Sequence, residues 1–208
     1  MEKHVYLVRH GQSDENVDRI LRGPHAMLTE EGRRQAKELA KRMEKVGIDA
    51  LISSPLQRAL DTAAEIQKLT ATPIETYEFT YEYERPSVVF GKLEHDPEAQ
   101  VWRTKIYEGH LTPHTRFHDE ENFEELKARC LKTLEALQTH SGTKICLVTH
   151  GFFLRALLGT VLLGEGFTGK EFQRLYHHIG GHNTGITLIE YKNERWRLIT
   201  WNDSAHLG

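Results

Sequence analysis

Two short apolar runs that end in His-Gly most strongly limit how this chain can fold. The first is "VYLVRHG", residues 5–11, and the second is "ICLVTHG", residues 145–151. Apolar runs of this length are typical of buried strands. Similar strand-like segments lie at 49–53 and 74–77, and helical patterns separate them. Strands that alternate with helices predict an α/β fold, a three-layer αβα sandwich around a largely parallel central sheet.

The helical patterns complete this assignment. Residues 29–46 form an amphipathic helix with Thr29 as its N-cap. A second helix is predicted to start with Ser54 as N-cap, Pro55 in the first helical position and Gln57 completing a capping box. Further helices are predicted near 96–108, at 121–140, from 150 to about 163 and near 168–177. "TGITLIEY" and "RWRLITWN" predict a closing strand pair. Residues 78–120 are irregular and predict an inserted flap within a single domain of residues 1–208.

Composition excludes several classes of protein. The 208 residues carry a formal charge of −3, so no basic field favours nucleic acid. No apolar run approaches the roughly 18 residues of a membrane span, and the first residues predict no secretory signal. Cys146 falls in an apolar strand pattern and is predicted to be a small core residue, and Cys130 falls in a helical pattern. We therefore expect a reduced, cytoplasmic protein.

The two His-Gly strand ends predict a site. In parallel sheets, ligands bind beyond the carboxyl ends of the strands, where His10 and His150 would meet. Arg9 precedes His10, and Arg58 lies at the start of the second helix. Two guanidinium and two imidazole groups favour phosphate as the ligand. Helix N-termini after Gly11, Ser54 and Gly151 are expected to add backbone N–H donors, and the two glycines to allow close approach of the backbone.

Histidine adds a chemical possibility to phosphate binding. A neutral imidazole can accept a phosphoryl group, and nearby cations disfavour its protonated form. By local sequence either His10 or His150 could be this nucleophile. The leaving oxygen needs a proton, for which a carboxylic acid is suited. The flap offers Glu82 and Glu84 in "YEYERPS".

The ordered set of motifs resembles the histidine phosphatase superfamily, in the branch typified by cofactor-dependent phosphoglycerate mutase. The resemblance covers nearly the whole chain and is weakest in the flap. It rests on Arg9-His10-Gly11 with Ser13 and Asn16, on Gly23, and on "LTEEGRRQA", "LISSPLQRALDTA", "LVTHG" and "HNTGITLIEY".

The resemblance implies roles for these residues. His10 would be the nucleophile, and Arg9, Arg58 and His150 would bind the phosphoryl group. The loop residues implied to contact substrate are Gly11, Ser13, Asn16, Arg22, Gly23 and Gly151. Glu82, four residues before Pro86-Ser87, is the expected proton donor, and Glu84, followed by Arg85, is the alternative.

The flap favours a phosphatase over a mutase. Mutase relatives carry Glu-Arg-His-Tyr-Gly and later paired arginines, whereas this chain has "ERPSVVFGK" and no Arg pair. We expect a small phosphorylated substrate and neither metal nor cofactor. Two alternatives remain. One is a metal-dependent hydrolase using His110, His114 and His118, although Pro113 argues against a continuous helix there. The other is a phosphate-binding protein without catalysis.

Overall fold

A computed structural model describes residues 2–112 and 114–208 and places six strands in one sheet. The sheet order is β3-β2-β4-β1-β5-β6. Strands β3, β2, β4 and β1 run parallel, and β5 and β6 are antiparallel to their neighbours. This confirms the predicted α/β class with a largely parallel sheet. The strands are β1 (Lys3–Arg9), β2 (Ala50–Ser53), β3 (Ile74–Thr76), β4 (Lys144–Thr149), β5 (Ile186–Lys192) and β6 (Arg195–Asp203).

Seven α-helices lie within the described ranges, and most begin within two residues of their predicted positions. They are α1 (Asp14–Asp18), α2 (Glu30–Val46), α3 (Gln57–Thr70), α4 (Pro97–Leu111), α5 (Phe123–Thr139), α6 (Gly151–Leu163) and α7 (Gly169–His178). Thr29 caps α2 as predicted, because its hydroxyl accepts the Gly32 N–H at 3.0 Å. None of these helices, over the residues described, is both long and apolar enough to cross a membrane.

The predicted start of α3 is wrong. The helix begins at Gln57 with Leu56 at the N-cap position, not at Ser54. The Ser54 hydroxyl accepts the Leu56 N–H at 3.3 Å and also bonds the imidazole of His150. Ser54 therefore belongs to a turn that precedes the helix, and its hydroxyl forms a hydrogen bond with His150 at the carboxyl end of β4.

Side chains alternate between the two faces of the sheet, and helices cover both. Val5 and Leu7 of β1 face a cluster with α5 and α6, whereas Val8 faces a cluster with α2 and α3. Cys130 lies in the first cluster and Cys146 in the second, as buried core residues. Such alternation is expected of strands whose two faces are both covered.

The register of β1 against β4 positions the two His-Gly strand ends. Arg9 pairs with Thr149, so the next residues of both strands, His10 and His150, leave the sheet side by side. The His10 N–H donates to the Thr149 carbonyl at 2.9 Å and extends the pairing by one residue.

The inserted segment has more structure than its sequence indicated. It contains the short 3₁₀ turns Glu78–Thr80 and Ser87–Val89 and the helix α4. Arg129 of α5 holds its first part, because it donates to the carbonyls of Phe79 and Tyr81 and forms a two-bond ion pair with Glu121 at 2.6 Å. Pro113, for which a helix break was predicted, lies outside the described residues.

Candidate active site

The imidazoles of His10 and His150 lie together at the carboxyl edge of the sheet. Their ring centroids are 5.2 Å apart, and the ring planes are inclined at 56°. Both side chains are buried, with 3% of His10 and none of His150 exposed. The chain thus joins, across 140 residues of sequence, the two groups that the strand ends predicted to be neighbours.

Hydrogen bonds determine which nitrogen of His10 carries the lone pair. The Nδ1–H donates to the Gly11 carbonyl at 2.7 Å. Nε2 accepts a hydrogen bond from Nε–H of Arg58 at 3.2 Å. The ring is therefore neutral with its lone pair on Nε2, directed towards a guanidinium that can bind an anion. This is the arrangement that a nucleophilic imidazole requires.

His150 is held differently. Its Nε2 bonds the Ser54 hydroxyl at 2.7 Å. Its Nδ1 is buried and has no partner within the described part of the chain. A buried polar atom without a partner is costly, and such atoms are frequent where a ligand completes the hydrogen bonding.

The arginines supply the positive charge. Arg9 donates through Nη1 to the Gly181 carbonyl at 2.8 Å, and its buried Nε has no partner among the described residues. Arg58 donates through Nη1 to the Gly23 carbonyl at 2.9 Å. Arg9 is anchored through Nη1 alone, and Arg58 through Nη1 to Gly23 and Nε to His10, which leaves further N–H groups of both for an anionic ligand.

Burial and charge act together on the two imidazoles. Desolvation, followed by the positive charges of Arg58 and Arg9, lowers the pKa of His10 well below its ordinary value. Desolvation, Arg58, His10 and Arg9 lower the pKa of His150 in the same direction. Both rings are neutral at neutral pH, as expected from the sequence.

The glycines after the histidines serve packing. A Cβ on Gly11 would collide with the Gly32 carbonyl at the start of α2. A Cβ on Gly151 would lie 3.2 Å from Nε of Arg9, so this glycine leaves room for the guanidinium. In both cases the close neighbour is another part of the protein, and close approach of these glycines to a bound phosphate stays a prediction.

N–H donors were expected at three helix starts, and those found near Gly11 and at the start of α6 already have partners within the protein. The Gly11 N–H donates to the Thr62 hydroxyl at 3.1 Å, and α1 begins only at Asp14. α3 begins three residues after Ser54. α6 does begin at Gly151, but its N–H groups at Phe152 and Phe153 are bound to a carboxylate. The Gly11 N–H therefore has a partner within the protein, and phosphate binding at the helix starts after Ser54 and Gly151 stays a prediction.

That carboxylate belongs to Glu82. Its Oε1 accepts the N–H groups of Tyr83 and Phe153, both at 3.0 Å, and its Oε2 accepts that of Phe152 at 3.3 Å. The Glu82 carboxylate therefore lies against the start of α6, the helix that begins directly after His150. Glu84 is exposed, and the hydrogen bond found at this residue runs through its backbone carbonyl to the Glu121 N–H.

The loop after Gly11 contributes an ordered amide. Oδ1 of Asn16 accepts the Ser13 N–H and Nδ2–H of Asn183, both at 3.1 Å. Asn183 also donates to the His10 carbonyl at 3.1 Å. Asn16 lines a cavity together with Arg9, and its amide group is oriented by these two bonds.

Arg22 is not brought to the imidazole pair. Its guanidinium is paired with Asp18 at 2.5 Å and lies 3.5 Å from Asp14. The neighbouring Gly23 does reach the site, through its carbonyl bond from Arg58. The Arg22 side chain packs against α1 instead. The residues that the structure brings together at the site are Arg9, His10, Asn16, Gly23, Arg58, Glu82 and His150.

Two cavities flank the site. One of about 490 Å³ is lined by Arg58, Glu82, Glu84 and Gly23 among others. The other, of about 320 Å³, is lined by Arg9, Asn16 and Asn183 among others. Arg85 lines both cavities and pairs with Glu15 at 2.6 Å. There is room for a small phosphorylated molecule on either side of the two cationic side chains.

Sequence reasoning missed several supporting residues: Glu15, Ser54 as a partner of His150, Thr62, Arg85 as a half-buried cation, and Asn183 as a partner of His10. Glu15 also accepts the N–H groups of Arg22 and Gly23, at 2.8 and 3.0 Å. These contacts join positions up to 173 residues apart. The signal that could have marked Arg85 is its place three residues after Glu82.

The alternative metal site does not form. α4 ends at Leu111, so His114 and His118 lie beyond the helix that carries His110. His110 is buried, and His118 bonds Asp119 at 2.5 Å. Among the described residues, the three potential ligands that lie close enough for one ion are Glu2, His4 and Glu190, at the other end of β1.

Comparisons with known proteins agree with this geometry. A family model for the histidine phosphatase superfamily (branch 1) matches residues 5–204. A probable phosphoglycerate mutase GpmB from Proteus mirabilis is 33% identical, over 98% of this chain and 94% of the relative. Bacillus stearothermophilus YhfR has a TM-score of 0.82 and 28% identity, covering 99% of this chain and all of that one. A mycobacterial glucosyl-3-phosphoglycerate phosphatase, solved with VO3, has a TM-score of 0.80 and 25% identity, covering 97% and 100%.

Proposed function

The chain belongs to branch 1 of the histidine phosphatase superfamily, and from this premise we propose that it hydrolyses a phosphate monoester through a phosphohistidine on His10. The observation that carries the proposal is the neutral His10 ring with its lone pair on Nε2, facing Arg58. No proton has to be removed before this nitrogen can attack phosphorus.

In the first step, Nε2 of His10 attacks phosphorus and the bond from phosphorus to the ester oxygen breaks. Guanidinium N–H groups of Arg9 and Arg58 and the buried Nδ1 of His150 bind the phosphoryl oxygens. These groups are in position before the reaction, so the two guanidinium charges stabilise the transition state without reorganisation. Asn16 contributes a further hydrogen bond from the loop. The Nδ1–H bond to Gly11 stabilises the positive charge that develops on the ring.

Glu82 is the proposed proton donor, and its protonated carboxyl group gives its proton to the leaving oxygen. In the second step the carboxylate takes a proton from the water that attacks the phosphohistidine, and the bond from phosphorus to nitrogen breaks. Both carboxylates line the cavity of Arg58, but one feature supports Glu82 over Glu84: Glu82 lies against the start of α6, next to His150. Glu84 is exposed, so its carboxyl group is less suited to transfer a proton away from bulk water.

Mutase-type transfer to a second hydroxyl group is a second candidate, because a relative of 33% identity carries the mutase name. Hydrolysis is favoured by the flap. A mutase needs additional cations for the substrate carboxylate, and Arg85, the half-buried cation beside the proposed acid, is already neutralised by Glu15. A time course with 3-phosphoglycerate separates the candidates, since a mutase forms the isomer without releasing phosphate.

Rapid-quench labelling tests the proposal. A ³²P-labelled ester mixed with the enzyme and quenched within milliseconds should yield an acid-labile, alkali-stable label on the peptide that carries His10. The variant His10→Ala should give neither label nor turnover. His178→Ala, at an exposed histidine outside the site, is the matched control and should give both. A label on another residue, or turnover of His10→Ala near the wild-type rate, would refute the assignment.

Metal independence is part of the same proposal. Activity should survive prolonged treatment with a chelator. Loss of activity on chelation, followed by recovery with zinc, would favour the metal-dependent alternative.

A further inference from the structure

A third cavity adjoins the proposed site, and most of its lining is apolar or aromatic. Charged and polar side chains complete the lining: Arg85, Glu94, Arg103, His110, Gln173 and His177. Its volume is about 110 Å³. The aromatic and aliphatic groups that form most of its wall come from α4, α6 and α7: Trp102, Ile106, Tyr107, Phe152, Phe172 and Tyr176. A cavity of about 150 Å³ with an apolar lining can hold a single benzene ring, so this space is of the order of one ring.

The cavity adjoins the two cavities that flank the imidazole pair, because it shares wall residues with them. Arg85 lines this cavity and both cavities that flank the imidazole pair. Tyr83 is shared with the cavity of Arg58 and Glu82. Phe152 gives its side chain to the apolar wall and its N–H to the Glu82 carboxylate. A molecule whose phosphate is held by Arg9 and Arg58 can therefore extend its organic part past Arg85 into the apolar space.

One buried polar atom in the wall has no partner. Nε2 of His110 makes no hydrogen bond to any described residue, and only 4% of this side chain is exposed. Its neighbours are the rings of Tyr83, Phe123, Phe152 and Phe172. Burial alone lowers the pKa of His110 to about 4, so the ring is neutral and offers one uncharged hydrogen-bonding atom. A ligand group with a complementary polar atom would satisfy it.

We propose that this cavity is the subsite for the alcohol part of the substrate and that it selects phosphate monoesters of aromatic alcohols, with His110 binding a polar substituent of the ring. The inference rests on the proposed function and names its substrate class. The shared wall residues bring the ring close to the phosphoryl site. The mainly aromatic and aliphatic lining favours an apolar ring over a strongly hydrated sugar, and the unpartnered nitrogen distinguishes substituted rings.

The first test compares benzyl phosphate with ethyl phosphate, whose leaving alcohols are both primary and similar in acidity. We expect kcat/KM for benzyl phosphate to be at least about tenfold higher, since even one methylene group in an apolar pocket changes kcat/KM by about 10-fold or more. Ala99→Leu places extra carbons into the cavity wall and should lower this ratio at least about fivefold. Val101→Leu, on the exposed face of the same helix, is the matched control and should keep the ratio.

The second test concerns His110. In the wild type, 3-hydroxybenzyl or 4-hydroxybenzyl phosphate should exceed benzyl phosphate in kcat/KM by at least about fivefold. His110→Phe keeps the aromatic packing but removes the nitrogen, so it should abolish this gain while benzyl phosphate is still preferred over ethyl phosphate. A gain that persists in His110→Phe, or no gain for either hydroxyl position, would overturn the role of His110.

Binding measured without turnover keeps the subsite testable by itself. Calorimetric titration with benzylphosphonate and ethylphosphonate, whose bond from phosphorus to carbon is not hydrolysed, should show tighter binding of the benzyl compound by at least about tenfold. Equal binding of the two phosphonates would overturn the subsite. Failure of the enzyme to form a phosphohistidine or to hydrolyse any ester, together with a clear benzyl preference, would refute the proposed function and leave the subsite standing.

Discussion

Replacing Glu82 by Gln removes the proposed proton donor and leaves a side chain of nearly the same shape. The carboxylate accepts three backbone N–H groups, two through Oε1 and one, at 3.3 Å, through Oε2. A Gln amide oxygen can replace Oε1, but its NH₂ group cannot accept the Phe152 N–H. One partly buried donor is left unpaired, for which we expect a loss of about 1–3 kcal/mol in the free energy of unfolding. The folded state should therefore persist, so that activity can be compared.

The catalytic effect of Glu82→Gln should depend on the leaving group. For esters of ordinary alcohols, loss of general acid catalysis should lower kcat/KM by about 10²–10⁴-fold. This corresponds to about 3–5 kcal/mol of transition-state stabilisation. For esters of acidic phenols, whose oxygen leaves without a proton, the first step should slow much less. The slope of log kcat/KM against the pKa of the leaving group should consequently become steeper in the variant.

Glu84→Gln provides the matched control, because it makes the same change two residues along the chain at an exposed position. It should keep the wild-type slope. Urea denaturation of all three proteins separates folding from catalysis. An unchanged slope in Glu82→Gln, or a steeper slope in Glu84→Gln alone, would refute the reasoning and move the acid to another residue.

Three further outcomes are expected. Arg129→Met leaves Glu121 as an unpaired buried charge and should lower the free energy of unfolding by about 3–5 kcal/mol; urea denaturation measures this, and adding Glu121→Gln should restore part of it. The folded-state pKa of His110, about 4, is below the ordinary 6.5, so in this range the unfolded chain binds the proton and the folded chain does not. Its contribution is fully present above pH 6.5 and falls by roughly 3 kcal/mol as the pH drops to 4; unfolding curves of His110→Phe should be less acid-sensitive than wild type by this amount, and equal sensitivity would contradict it. Gly11→Ala forces a Cβ against the Gly32 carbonyl and should cost about 1–3 kcal/mol of stability as well as turnover, whereas Gly166→Ala, with open space around its Cα, should cost neither.

Most elements of the fold could be predicted because their signals are local. Apolar runs marked β1, β2 and β4, and the period of apolar residues marked α2 and α5 to within a few residues. The start of α3 was misplaced for a physical reason. Ser54 has the residue type of an N-cap, but its hydroxyl is used by His150, which lies 96 residues away. A local rule cannot anticipate a competing partner that only folding brings near.

The histidine-rich stretch in the insertion shows the same limit. Pro113 argues against a continuous helix through this stretch but gives no information on burial, and His110 lies in the last turn of α4, buried against Phe123 of α5 and Phe172 of α7. Burial of a polar ring depends on apolar partners from other elements. The spacing of residues within 110–118 gives no information about those partners.

The strand ends, the helix faces and the adjacency of Arg9 and His10 could be predicted from the sequence, because each depends on neighbours within a few positions. The choice between Glu82 and Glu84 was not, since an extended segment presents both to one side. Packing of the start of α6 against residue 82 distinguishes the two carboxylates, and the aromatic walls around His110 create a space that exists only between helices. The tertiary structure decides which side chains form the site, because only the folded parallel sheet brings the ends of separate strands and helices to one edge.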